Sequence, residues 1–271
     1  QNDRSFADAH IMPRVYDMPE PYPHKETLRD TLPHFFMGGN QEMIAETIEA
    51  IELMDNAQNY GSIMKFNISE RTRNAIAVRV EEYENESIVP SDITDLLPYM
   101  RIVLALTEKY AALCMNPPYM GSGNMNSALN QYVTNNYYEG RADLMTVFMQ
   151  KAMADTKPYG HWSMINLPSW MFLPSFELLR CELISSHSIL SLNYNGRGVF
   201  GSDFGSVSFV VRKSGIPVTG IYRKLYEVQG SVRSIEEIEN NYLHKTYGLY
   251  TFHQNEFLKV PGKSLAFWLP M

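Results

Sequence analysis

The sequence predicts an α/β protein whose sheet is mostly parallel and carries helices on its faces. Three observations lead there. Short apolar runs at 110–115, 161–167, 188–194 and 206–212 lack a helical period, as strands buried within a sheet do. Between the first three lie segments with apolar residues three and four apart, the pattern of helices that cover such a sheet. The composition, 45% hydrophobic and 20% charged over 271 residues, supplies enough apolar side chain for a full core.

The elements follow in order. From Gln1 to Pro33 the chain is rich in Pro, Asp and His and reads as loop, with one short strand near Ile11 to Tyr16. Gly39-Asn40 opens a helix in which Met43, Ile44, Ile48, Ile51 and Met54 share a face, and Gly61 is its stop. Ser69 is the N-cap expected for a second helix, with Ile76, Val80 and Tyr83 in line; its acidic end, 81–86, reads as a solvated face. A third covers Asp92 to Lys109, with Pro98 interrupting it or marking its start. YAALCM at 110–115 is a buried parallel strand closed by a Pro-Pro turn, and the Gly, Ser and Asn of 120–137 form a long polar loop. A helix from Arg141 to Ala154 turns Leu144, Val147, Phe148 and Ala152 inward, and the strand 161–167 follows. The next helix opens at Pro174-Ser175 with Phe176, Leu179, Leu183 and Ile184 on one side. Strands 188–194 and 206–212 are joined by a Gly-rich turn, and from Gly220 two strand-like tracts enclose a helix at 234–243.

Composition also excludes. There is no uncharged apolar run of the roughly 20 residues that a spanning helix needs, and no secretory signal pattern. Cys114 and Cys181 lack metal-ligand spacing, so neither a disulfide framework nor a bound metal is expected, and the cytoplasm is the expected location. The net charge of −7 argues against a wholly nucleic-acid-binding surface. The charge is uneven: residues 1–110 carry 19 acids and 10 bases, residues 111–271 carry 11 and 13. A polyanion would therefore meet the second part.

The residues that carry chemistry are Asn116-Pro117-Pro118-Tyr119, at the end of the first strand. In open α/β sheets, ligands bind beyond the carboxyl ends of strands. Pro117 and Pro118 fix φ and lack N–H groups, so the turn is stiff and its carbonyls are free to accept. Asn116 adds a side-chain oxygen. Two fixed acceptors beside an aromatic face complement an exocyclic amine on a flat ring. The alternative is a rigid turn with Asn116 as a cap and Tyr119 in the core.

This tetrapeptide after an apolar strand resembles the catalytic motif of the amino-group DNA methyltransferases that modify adenine at N6. The resemblance continues over about 150 residues of sequence downstream. Asp143-Leu144 with Phe148 is similar to the family's helix after the catalytic loop, 160–170 (GHWSMINLPSW) to its next strand and exit, and Leu179-Arg180 to the following helix. Gly198-Val199-Phe200 is similar to the loop whose aromatic residue faces the catalytic tyrosine. NPPYMGSGNMN, SWMFLPSFELLR and PGKSLAFW most resemble the PglX-type methyltransferases of BREX and phage-growth-limitation defence systems, with fused restriction-modification enzymes as nearest relatives.

The resemblance implies a Rossmann-like, class I S-adenosylmethionine-dependent fold and a flipped adenine in double-stranded DNA as substrate. Residues 116–119 would be catalytic, with Asn116 also near the cofactor, and Tyr119 and Phe200 would stack on the base. A shifted register would make Phe204 the stacking residue instead. No metal is implied. Residues 1–109 would be a mainly helical segment, 110–215 the catalytic core and 216–271 strands leading toward a target-recognition domain. Defence-system proteins are possible further partners of the parent, and no membrane is.

The family's Gly-rich cofactor loop and ribose-binding acid are not found before Asn116. With Gln1 in place of an initiating Met, a chain truncated in its cofactor half is expected, so that binding of S-adenosylmethionine by this chain is open. Asp55, ahead of Tyr60-Gly61-Ser62, matches the residue near the donor's adenine, a surface acid being the other reading. Gly196, Gly198 and Gly201 spell GxGxxG, but a strand rather than a helix follows, which excludes a dinucleotide fingerprint. Gly121-Ser122-Gly123 reads as a lid beside the site rather than a cofactor loop. Two rival functions stay open: a non-catalytic module of a defence complex, and methylation of a protein glutamine or an RNA adenine.

Overall fold

The structure is a computed structural model and describes residues 13–38, 40–200, 204–228 and 230–269. The chain divides into two compact units, Gln1–Glu108 and Lys109–Met271. The first is helical: α1 (Leu28–Phe35), α2 (Gln41–Leu53), α3 (Glu70–Asn85) and α4 (Ser91–Thr107). Asn40 and Ser69 cap α2 and α3, their side chains accepting the N–H groups of Met43 and Thr72. The apolar stripes meet in one core that includes Leu32, Phe35, Ile51, Ile76, Leu96, Met100 and Val103. Arg79 is buried beside it, donating to the Phe35 carbonyl at 2.6 Å, its guanidinium over the Tyr83 ring.

Three expectations are corrected here. Residues up to Pro33 are not all loop, because α1 runs through Pro33; its apolar residues Leu28, Leu32 and Phe35 are buried. Of the expected strand at 11–16, Ile11 and Met12 lie outside the described residues, and 13–16 are irregular. Pro98 does not interrupt its helix either: α4 continues through it, with Leu96, Leu97, Tyr99 and Met100 buried around it. Packing there offsets the hydrogen bond that proline removes.

The second unit is built on a sheet of β1 (Tyr110–Met115), β2 (Thr156–Asn166), β3 (Ser188–Arg197), β4 (Gly205–Arg212), β5 (Thr219–Lys224) and β6 (Leu249–His253), in the order β1-β2-β4-β3-β5-β6. The sheet is mixed rather than mostly parallel. Only β1–β2 and β3–β5 run parallel; β2–β4, β3–β4 and β5–β6 are antiparallel. The physical reason is the short connection from β3 to β4, which permits only a hairpin; β4 then inserts between β2 and β3. Residues 216–271 extend the same sheet by β5 and β6.

Between β1 and β2 lie α5 (Ser127–Asn136) and α6 (Leu144–Asp155), and α7 (Glu177–Ser186) joins β2 to β3. The long polar loop expected at 120–137 is thus largely helix, capped by Asn126. Residues of α6 and α7, among them Met149, Met153, Leu179 and Leu183, share a core with Trp162, Met164, Leu192, Phe209 and Val211 from one sheet face. The opposite face carries smaller, more polar residues, Cys114, Ser163, Ser191, Asn193 and Ser208, around a shallow hollow of about 220 Å³. β1 is the outermost strand, and Ala111, Ala112 and Cys114 are exposed, so it is not the buried strand expected.

Irregular segments are fastened by buried polar side chains. Arg180, wholly buried, donates to the carbonyls of Trp170, Leu173 and Gly262 at 2.7, 2.8 and 2.6 Å. Gln254 donates to Ile184 and His187 and accepts from Ile189 N–H. α8 (Ile235–Leu243) is capped by Ser234.

His187 is buried against Trp162, and desolvation, helped by the charge of Lys213, lowers its pKa to about 4. Its folded pKa lies below the unfolded value, so its contribution is complete above about pH 6.5 and is lost as the pH falls toward 4. Unfolding free energies from denaturant titrations across that window should fall by no more than about 1.4 kcal/mol per pH unit from this group. A His187→Leu variant should lose that part of the slope.

Candidate active site

Parallel pairing sets the position of the tetrapeptide. Met115, the last residue of β1, is in register with Met164 of β2, so the turn that follows emerges beside Ile165 and Asn166. Asn116 is exposed, Pro117 buried, Pro118 exposed and Tyr119 half-buried against the core. The Tyr119 hydroxyl donates toward two acceptors, Asn116 Oδ1 at 3.1 Å and the Ile165 carbonyl at 3.3 Å. Burial raises the Tyr119 pKa, so the phenol keeps its proton and remains a donor at neutral pH. The asparagine oxygen thus faces the phenol, at the carboxyl ends of two parallel strands.

The loop beyond is tied to the start of α6. Ser122 N–H donates to the Ala142 carbonyl and Leu144 N–H to the Met120 carbonyl, each at 2.9 Å. Asp143 caps α6, and burial raises its pKa against the pull of two backbone N–H groups, from Met145 and Met120. Next to the site, Asn166 is buried and its Oδ1 accepts the Trp170 indole N–H at 2.8 Å. Asp143 and the Ile165 carbonyl are contributors that the motif did not reveal. The helix expected from Arg141 starts at Leu144 with Asp143 as its N-cap, and the contact of Asp143 with Met120 spans 23 residues.

The remaining expected residues are placed as follows. Phe200 is half-exposed in the turn after β3. Phe204, more exposed, stands at the start of β4 and lines a cavity of about 350 Å³ with Leu167, Phe172, Tyr194 and Tyr226. Gly201 lies outside the described residues. Gly196, in β3, and Gly198, just after it, lie against Arg233. Both have positive φ, and a Cβ at Gly198 would stand 2.3 Å from the Arg233 carbonyl. Arg233 is buried and donates to the Leu225 and Asn195 carbonyls. Asp55 belongs to the helical unit and is ion-paired with Lys25.

Gly121 bridges Asp143 and is the N-cap of the short 3-10 turn Ser122–Asn124. Within the second unit, an amide oxygen and a phenol meet at the carboxyl ends of β1 and β2.

The Eco57I restriction-modification methylase family matches residues 36–200. The chain belongs to this family. Two curated relatives are similar to the chain: the adenine-specific methyltransferase BrxX of Escherichia coli O9:H4 (strain HS), 30% identical over 182 residues, and the adenine-specific methyltransferase PglX of Lacticaseibacillus casei (strain Zhang), 33% identical over 186. Each match takes in 64% of this chain but only 14% and 15% of those proteins. Solved structures with a similar outline include the modification subunit of a putative type I restriction enzyme from Vibrio vulnificus YJ016, at TM-score 0.42 and 14% identity over 85% of this chain and 64% of that one. Another is the ATP-dependent type ISP restriction-modification enzyme LlaBIII bound to DNA, at TM-score 0.45 and 13% identity over 77% of this chain and 16% of that one.

The loop that bears Phe200 gives a prediction. Gly198→Ala forces both a strained φ and a clash with backbone, and should cost about 1–3 kcal/mol. Chemical denaturation reads the loss, whereas Gly123→Ala, with open space at its Cβ, should leave the midpoint near that of the parent.

Proposed function

We propose that the chain carries the amine-binding site of an adenine-specific DNA methyltransferase of a restriction-modification or phage-defence system. The methyl group goes from S-adenosylmethionine to the N6 amino group of an adenine flipped out of double-stranded DNA. One observation carries the reading: the exposed Asn116 turns its oxygen toward Tyr119 at the carboxyl ends of two parallel strands. Membership of the methylase family and the names of BrxX and PglX support it.

The chemistry assigned to these residues is electrostatic. Adenine's amino lone pair is delocalised into the ring, which makes the nitrogen a poor nucleophile. Acceptance of its two N–H bonds by Asn116 Oδ1 and the Pro117 carbonyl favours a tetrahedral nitrogen and stabilises the positive charge that grows there. No general base is needed for that step. The Tyr119 ring supports one face of the base and Phe200, or Phe204, the other, each stack contributing about 1–3 kcal/mol. Extrusion from the duplex precedes binding, because the amine is out of reach inside the stack. The second unit, less acidic than the first, is the side that meets the polyanion.

Incubating the complete protein with duplex DNA and labelled S-adenosylmethionine, then digesting the DNA and identifying the modified nucleoside, tests the proposal. N6-methyladenine is the expected product; label in cytosine, in RNA or in protein would overturn it. Asn116→Ala should abolish transfer while leaving DNA affinity nearly intact. Tyr119→Ala should cost more than Tyr119→Phe or Tyr119→Trp, since the ring face carries the stack; equal losses would assign the effect to the hydroxyl.

A further inference from the structure

One side chain at the start of α6 serves two chain segments at once. Asp143 Oδ1 accepts the Met145 N–H at 3.0 Å, the ordinary bond of a helix N-cap. The same oxygen accepts the Met120 N–H at 3.2 Å. Met120 contributes the peptide nitrogen directly after Tyr119. Around this contact Gly121 bridges Asp143 in antiparallel fashion, with the Ser122–Ala142 and Leu144–Met120 bonds on either side. Tyr119 is therefore fixed at both ends, its hydroxyl on Asn116 and Ile165 and its following peptide on Asp143.

Capping alone does not require this arrangement. Ser and Thr also satisfy the first N–H groups of a helix, but an acceptor shared with a second segment needs an oxygen farther out from the backbone. Asp143 is half-buried, where a hydrogen bond lost is not simply replaced by one to bulk water.

We propose that Asp143 is a positioning residue for Tyr119, holding the ring at the angle at which a base stacks on it. The inference rests on the reading of Tyr119 as a stacking surface. Asp143 touches no reacting atom; it acts through the peptide that joins Tyr119 to Met120.

The test uses Asp143→Ser, which keeps a cap but withdraws the oxygen, and Asp143→Asn, which keeps the oxygen at the same reach. Three readouts are taken on the protein: the thermal midpoint, hydrogen exchange at the Met120 amide, and fluorescence anisotropy with a labelled duplex carrying one bulged adenine against the same duplex without it. For Asp143→Ser the midpoint should stay near that of the parent, Met120 exchange should quicken about tenfold, and preference for the bulge should drop severalfold. Asp143→Asn should restore both. Unchanged Met120 exchange in Asp143→Ser, or failure of Asp143→Asn to rescue, overturns the positioning role. If Tyr119→Ala abolishes the preference and Asp143→Ser does not, the positioning role alone falls. If the parent shows no preference, or Tyr119→Ala leaves it intact, the adenine reading itself falls.

Discussion

The site depends on one constraint, the parallel pairing of β1 with β2. Because Met115 and Met164 are in register, the Asn-Pro-Pro-Tyr turn leaves β1 where the Ile165 carbonyl can receive the Tyr119 hydroxyl. Two residues of slippage along either strand, about 7 Å, would separate them. The pairing is in turn held by what lies behind it. Trp162 and Met164 pack against α6 and α7 in one core, and a one-residue slip would turn both out of that core. Core packing and site geometry are thus the same requirement seen from two sides of the sheet.

Much of this was legible in the residues. The caps at Asn40 and Ser69 and the strands at 110–115, 188–194 and 206–212 follow local rules that act within a few residues, and they lie where expected, although the helix opened at Asn40 ends at Leu53 and short helical turns, not one continuous helix, lead on to Gly61. The tetrapeptide announced itself because two adjacent prolines leave the backbone few conformations. The failures share a cause, which is context beyond the local window. α1 and the continuous α4 each contain a proline that an apolar face outweighs. α5 is rich in Asn and Ser, residues that compete with helix formation, yet Leu129 and Val133 bury. The direction of β4 follows from its hairpin with β3, but its place between β2 and β3 does not. The second role of Asp143 needs a partner 23 residues away, and no local pattern encodes that.

The irregular segments around the sheet are ordered by charge rather than by grease. Arg180 gathers three carbonyls from two stretches of loop, and Arg233 joins two, of Asn195 in β3 and of Leu225. A guanidinium has five donors in a fixed fork, so one buried arginine can replace several backbone bonds that a loop lacks. The price is glycine nearby: Gly196 and Gly198 stay bare because Arg233 fills the space a side chain would take. Two glycines of a tract that looks like a ligand cradle in sequence thus bear the imprint of a neighbouring residue.

The shared proton of Tyr119 has an energetic consequence. Asn116 Oδ1 faces the phenol with one lone pair and has a second, and the phenol has the Ile165 carbonyl as a further acceptor. An amine bound as proposed would add a bond to that oxygen without displacing the tyrosine. Tightness would then draw on ring-on-ring contact, which any planar base can provide, and discrimination on whether the visitor can offer a donor at the second lone pair. Affinity and selectivity would reside in different atoms of the same tyrosine–asparagine couple, and each could be tuned without disturbing the other.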